Sequence, residues 1–335
     1  MNKNRRIYAS LISMDESNAM KGILIILVVL GHGYLLCQDY DSGDFLPFRQ
    51  YIYLFHTANF FVLPFIYGDK GGNLFYEVRK NFVKLWIPYT WFFLLCLFIY
   101  IIRNRGYDIC GIVKTYIVGS PPLTSTYLGV HFIWFLPSMF SLLILKLIWF
   151  QSTLFLKTII VSLSILLWGM SLFHIEININ FDYWNDVPFS LTYGLYYMLL
   201  GIVLRYIIKK VKYIVHIRLF TWTFFFISIL IFTFHRDFVW LKLFVPLTTF
   251  LLLFVEREKY SNNRLFLVLG KNSLFIYLIH VFIYNIINPL LLLMFEKSYF
   301  VGVISFLLTL YISYLLSNLI TKIKIIQLLI FPQIK

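Results

Sequence analysis

Residues 20–36 read MKGILIILVVLGHGYLL. Apart from Lys21 and His32 the stretch holds no strongly polar side chain, and its length is that of a helix crossing a bilayer, about 17 to 25 residues. At about 100° per residue, Lys21 and His32 stand close to three full turns apart, so they share one helix face. Their separation along the axis is on the order of 16 Å. A cation at one end and an imidazole deep inside either coincide by accident or line a polar site within a helical bundle.

The rest of the chain repeats this apolar pattern. Of its 335 residues 60% are hydrophobic, 20% aromatic and 13% charged, and the mean hydropathy is +0.81. A soluble domain carries about 25% charge. Apolar blocks fall near residues 20–37, 46–68, 84–102, 131–149, 156–174, 188–205, 215–234, 239–255, 266–287 and 299–319, with Pro, Gly and charge between them. The fold class expected is therefore all-α, a polytopic integral membrane bundle of about ten transmembrane helices. It forms a single domain over residues 1–335 with no appended soluble domain. The start, MNKNRR, leads through a polar run to a span without a small-residue cleavage site, so no cleavable signal is expected.

An even number of spans puts both termini on one side, and charge says which. Among the 29 basic residues only Arg49, Arg103, Arg105, Lys114, Arg236, Lys242 and Lys297 fall on the side away from the termini. That side instead collects Asp39, Asp41, Asp44, Asp108, Glu176, Asp182, Asp186, Asp237 and Glu296. The positive-inside rule then makes both termini cytoplasmic. The net charge of +14 is accounted for by this topology, and nucleic acid is not an expected partner. The abundance of Ile, Phe, Tyr, Asn and Lys points to an AT-rich bacterial genome, hence to a bacterial cytoplasmic membrane.

Cys37, Cys96 and Cys110 have neither metal-ligand spacing nor the even count of a disulfide framework, and no metal site is expected. Two connections are long. Residues 103–130, with Gly119-Ser120-Pro121-Pro122, are expected as an outer loop, either plain surface or the lining of an external cavity. Residues 69–84 carry Arg79, Lys80 and Lys84 before Pro88. Such a cluster reads as a topology signal or a patch for anionic lipid.

Ionisable groups at hydrocarbon depth are costly and are functional candidates. Here they are histidines: His32 in the first span, His56 in the second and His280 in the ninth, all between the midplane and the outer third. Each alone is either an interhelical hydrogen-bonding residue or a catalytic one; their shared depth favours a common site. Tyr277 and Ser273 lie on the stripe of His280, and Tyr53 and Asn59 on that of His56. His131, His174, His216 and His235 fall near span ends or in loops. No Walker loop, nucleophile elbow, HExxH or paired intramembrane carboxylate is present. What remains is acid–base work by histidine near neutral pH.

Four segments, in order, resemble the membrane acyltransferase 3 family of polysaccharide O-acetyltransferases and fucose O-acetylase-like proteins. MKGILIILVVLGH is similar to its opening helix. IYLFHTANFF followed by VRKNFVKLWIPYTW is similar to its Phe-His run and basic loop. HFIWFLPSMF is similar to its Trp-Phe-Leu signature, and LGKNSLFIYLIH to its late Ser/Tyr/His helix. The chain departs from the pattern at Lys21, where many members carry Arg, at Thr57-Ala58-Asn59 in place of Met-Pro-Leu, and at Pro64-Phe65 in place of Ser-Gly.

The resemblance implies transfer of an acyl group, most often acetyl, from cytoplasmic acyl-CoA to a sugar hydroxyl of a surface polysaccharide or its lipid-linked precursor. It casts His32 as general base, with a transient acyl-histidine as the alternative. His56, His280 and Tyr277 would orient the base or serve the developing oxyanion. Lys21, Arg79, Lys80 and Lys84 would hold the phosphates of CoA. Acyl-CoA is then a co-substrate rather than a permanently bound cofactor, and membrane lipids and glycan-assembly proteins are the further partners implied. The rival readings are a flippase or exporter of a lipid-linked glycan, a glycan polymerase, and a membrane scaffold.

Overall fold

The computed structural model describes residues 10–33, 46–68, 73–104, 108–130, 132–172, 189–211, 216–236, 238, 240–296 and 298–332. Cys37, His131, His174 and the charges at Lys3, Arg5, Arg6, Lys70, Lys212 and Lys335 lie outside these residues. Among the described residues the regular structure is all helical.

A helix runs through each of the apolar stretches. They are α1 (Met14–His32), α2 (Leu46–Tyr67), α3 (Leu74–Asn81), α4 (Ile87–Asn104), α5 (Ile109–Val118), α6 (Pro121–Leu128), α7 (Phe135–Gln151), α8 (Leu154–Leu172), α9 (Phe189–Val211), α10 (Ile217–Phe234), α11 (Leu241–Tyr260), α12 (Arg264–Lys271), α13 (Ser273–Met294), α14 (Tyr299–Lys322) and α15 (Lys324–Ile330). Among the described residues, four segments are long and apolar enough to cross a membrane by length and composition: Leu74–Arg103, Ile217–Phe234, Ser273–Met294 and Tyr299–Lys322. The protein is a multi-pass membrane protein.

Three features correct the reading from sequence. Residues 103–130 are not an open loop, because α5 and α6 occupy most of them. Asp108 caps α5 by accepting from the Cys110 N–H at 3.0 Å, Gly119 ends it at φ 62°, and Pro121 opens α6 at a position whose N–H is not needed. The basic segment before Pro88 is helical too, as α3 and a π-helical turn over Phe82–Trp86. Proline has no N–H and crowds the carbonyl a turn before it, and the wide turn ahead of Pro88 absorbs that misfit. The ninth stretch, expected to be continuous, breaks between α12 and α13. There Asn272 Nδ2 donates to the Val268 carbonyl at 2.9 Å, and Asn272 Oδ1 accepts from Ser317 at 2.7 Å.

The chain forms two compact units. One, Ser10–Gly68 with Val203–Lys322, contains α1, α2 and α10 to α14. Within it α1 opens on a capping box: Ser13 Oγ accepts from the Glu16 N–H, and Glu16 accepts from the Ser13 N–H. Glu16 also pairs with Arg257 of α11 at 2.8 Å. The helices α1 and α12 cross backbone against backbone. A Cβ on Gly22 would lie 2.0 Å from the Phe266 carbonyl oxygen, and one on Gly270 would lie 1.7 Å from that of Asn18. The two motif glycines are thus one reciprocal contact. Ser305, Thr309, Ser313 and Ser317, one turn apart and buried, let α14 lie close on α13. An apolar core of Tyr51, Ile52 and Phe55 with Phe232, Leu241 and Val245 joins α2 to α10 and α11.

The other unit holds Asp69–Ile202 and Ile323–Lys335. Its centre is an aromatic knot. Tyr89 and Tyr116 stack at 5.4 Å, the Tyr89 hydroxyl donates to the Tyr116 carbonyl at 3.0 Å, and Trp86 Nε1 donates to the Tyr116 hydroxyl at 3.0 Å. Trp91 Nε1 donates to the Leu329 carbonyl at 2.7 Å and ties α15 to α4.

Candidate active site

The antiparallel pairing of α1 and α2 builds the site. The Leu11 N–H donates to the Ile66 carbonyl at 3.0 Å, while a Cβ on Gly31 would lie 3.2 Å from the Tyr53 ring. The end of α1 that carries His32 therefore meets the first half of α2, where His56 stands. The third helix, α13, reaches the same place. Its Tyr284 hydroxyl donates to the Val29 carbonyl at 3.0 Å, a group left over where α1 stops after His32. A Cβ on Gly33 would lie 2.6 Å from that hydroxyl, so the glycine after His32 makes room for the lock.

Three imidazoles meet as a result. The centroid of His32 lies 5.1 Å from that of His280 and 6.4 Å from that of His56. Tyr53 packs 5.5 Å from His32 and 5.0 Å from His56, and Tyr277 packs 5.9 Å from His280. Each Nδ1 faces a carbonyl of its own helix: His32 to Val28 at 2.9 Å, His56 to Ile52 at 2.7 Å, and His280 to Tyr277 at 2.7 Å and Ile276 at 3.1 Å. A carbonyl only accepts, so each Nδ1 carries the proton, and in the neutral ring Nε2 holds the lone pair. The tautomer is the one a general base needs. Access separates the three. His56 and His280 are 3% and 0% exposed, whereas His32 is half-buried. His56 Nε2 accepts from the Thr57 hydroxyl at 3.0 Å. Of the three rings, His32 has the most exposed surface.

The cationic residues fall into two groups. Lys21 is in the unit of the histidines, half-buried, and its Nζ donates to Asn18 Oδ1 at 3.2 Å. Arg79, Lys80 and Lys84 are exposed in the other unit, on α3 and the π turn. Lys80 is paired with Glu77 at 3.3 Å. His216 and His235 cap the two ends of α10, away from the imidazole cluster in the sequence reading and at helix ends here.

Sequence reasoning missed Arg49, Thr57 and Tyr284 as neighbours of the site. Arg49 and Tyr284 stand on the same helical stripes as His56 and His280, a signal that spacing alone offered. Asn59, the departure from the family pattern on α2, is wholly buried and donates from Nδ2 to Thr249 of α11 at 3.1 Å. It ties two helices together one turn from His56. Cys96 is buried and Cys110 exposed, each as a free thiol.

A family model described as "Acyltransferase domain" matches residues 14–318. No curated protein and no solved structure matches the chain.

Proposed function

The chain belongs to the acyltransferase-domain family, and on that premise we propose that it moves an acyl group, most simply acetyl, from a cytoplasmic acyl-CoA to a sugar hydroxyl of a surface polysaccharide or its lipid-linked precursor. The observation that carries this reading is the convergence of His32, His56 and His280, with Nδ1 of His32 held by Val28 and the ring half-open. His32 Nε2 takes the proton of the sugar hydroxyl as its oxygen attacks the thioester carbonyl. The C–O bond forms, the C–S bond breaks, and the imidazolium returns the proton to the departing thiolate. His280 and His56 hold the base in place, and Tyr277 beside His280 supplies a hydroxyl for the developing oxyanion.

The apolar blocks of the sequence support about ten spans, and its charge balance supports both termini lying in the cytoplasm of a bacterial cell, which would put Lys21 on the donor side. Lys21 in its own unit, and Arg79, Lys80 and Lys84 in theirs, are each candidate contacts for the phosphates of CoA. A flippase for a lipid-linked glycan has no use for a base tautomer at an accessible ring. Loss of the gene should therefore leave the glycan exported but without its acyl groups. Blocked export, with unaltered acylation of what is made, would favour the transport reading.

A further inference from the structure

A groove with a volume of about 260 Å³ opens between the end of α10 and the start of α11, lined by Ile231, Phe238, Trp240, Leu243, Phe244 and Leu247. Its rim is fixed by backbone bonds: the Phe238 N–H donates to the His235 carbonyl at 3.0 Å, and the Leu241 N–H to the Phe238 carbonyl at 2.9 Å. Leu241 also lines the groove, is itself buried, and packs in one core with Tyr51 and Ile52 of α2. The Ile52 carbonyl accepts from His56 Nδ1 at 2.7 Å, so a single turn of α2 separates the groove from the imidazole cluster. The start of α1 is at the far end of α11, where Glu16 pairs with Arg257, so the end of α1 that carries His32 is at the level of the groove.

Apart from the Trp240 indole N–H, the lining side chains hold no polar group, so a polar occupant would lose its hydrogen bonds and a hydrocarbon would not. An apolar cavity of roughly 150 Å³ takes one benzene ring, so this volume suits a segment of one chain rather than of two. The surroundings of the groove are basic. Arg236 stands two residues before Phe238 and Lys242 between Leu241 and Leu243, and both are exposed. With Asp237, which lies outside the described residues, the connection still carries a net charge of +1. Trp240, 49% exposed at the start of α11, is of the type enriched at the membrane–water boundary, which sets the two cations at headgroup depth. The positive-inside rule gives them no topological use there, whereas a phosphate accepts charge-assisted hydrogen bonds from both.

We propose that the groove holds the hydrocarbon chain of a single-chain lipid phosphate, that Arg236 and Lys242 hold its phosphate, and that this lipid carries the acceptor sugar to the end of the bundle where His32 stands. This rests on the acyl-transfer reading and narrows it: of the surface polysaccharide and its lipid-linked precursor, the precursor is the acceptor. A diacyl phospholipid brings two chains to a groove that fits one.

The test is thermal unfolding of the purified full-length protein, at one detergent concentration, with farnesyl phosphate, farnesol or dioctanoyl phosphatidylglycerol. Farnesyl phosphate should stabilise the wild type at a concentration about ten-fold or more below that needed of either other lipid, since farnesol lacks the phosphate and the phospholipid brings two chains. Arg236→Gln combined with Lys242→Gln should remove the advantage over farnesol, and in cells should lower the acyl content of the glycan. Leu247→Trp, which fills the groove, should weaken farnesyl phosphate and farnesol alike. The paired change at Arg236 and Lys242 alters exposed side chains only, so it decides the matter even where Leu247→Trp fails to fold. No response to any lipid, equal responses to farnesyl phosphate and farnesol, a phospholipid response as strong as that to farnesyl phosphate, a preference that survives the paired change, or an unaltered acyl content with it would overturn the proposal. His32→Ala should abolish acyl transfer and keep the response to farnesyl phosphate. A His32→Ala protein that still acylates would sink the transfer role of His32 and leave the lipid result to stand or fall by itself.

Discussion

The imidazole rings of His32 and His280 lie 5.1 Å apart and nearly perpendicular, at 68°, although they come from helices at opposite ends of the chain. His280 is wholly buried and His32 is not, so the inner ring backs the outer one. If His280 positions the base, His280→Ala lowers kcat and leaves KM for acyl-CoA unchanged. The loss should be smaller than the roughly 10²- to 10⁴-fold that a general base itself contributes. Steady-state kinetics on the purified protein checks this, and a change confined to KM would contradict it.

The reciprocal glycines set a packing limit. Gly22→Ala or Gly270→Ala would drive a methyl into backbone 2.0 Å or 1.7 Å away, and each should cost about 1–3 kcal/mol or more. Gly169→Ala, with nothing within 4 Å of its added Cβ, should behave like wild type. Thermal unfolding in detergent compares the three. A destabilisation no greater at Gly22 than at Gly169 would mean that α1 and α12 do not meet this way.

Donor binding separates the cations. Lys21→Ala, Arg79→Ala and Lys84→Ala should each raise KM for acyl-CoA roughly ten-fold, the worth of one charge-assisted contact, and leave KM for the acceptor nearly unchanged. Lys80→Ala should do less, because Glu77 already holds that ammonium at 3.3 Å. Unchanged constants in all four would reduce the cluster to a signal for membrane topology.

Outside the membrane-spanning part of α11, Glu256 joins helices through charge. It accepts from Arg218 at 2.8 Å, Lys259 at 2.6 Å and Trp222 Nε1 at 3.0 Å. Burial pushes its carboxyl up, but the Lys259 and Trp222 hydrogen bonds and the Arg218 charge outweigh that and hold it below the ordinary value of 4.5. A depressed folded value means stability that is present above the unfolded value and lost as the pH falls through the folded one. Glu256→Gln should therefore lower the unfolding temperature at pH 7, by the equivalent of about 1 kcal/mol since both basic partners are more than half exposed. The gap from wild type should close on acidification below pH 4.5. A gap independent of pH would assign the effect to packing.

Much of this was legible in the residues. Long apolar runs admit only helices in a bilayer, since every backbone polar group must be satisfied within its own segment. Shared depth then singled out His32, His56 and His280, and the structure brings all three together. Other features were hidden for definite reasons. The helices α5 and α6 are too short and too mixed in composition to stand out as spans, and only Asp108, Gly119 and Pro121 mark their ends. The break at Asn272 depends on hydrogen bonds to the Val268 carbonyl and from Ser317, the latter 45 residues away. The approach of Tyr53 on α2 to His32 depends on the antiparallel pairing of α1 with α2, which no local pattern encodes.

The central claim is that the half-open imidazole of His32 carries the acyl transfer. The direct measurement is the mass of the surface glycan from cells expressing wild-type protein, His32→Ala protein or none, with membrane levels of both proteins matched. The expected result is an acyl increment with wild type and its absence, roughly 10²-fold or more down, with His32→Ala. An increment of wild-type size in the His32→Ala cells would contradict the account.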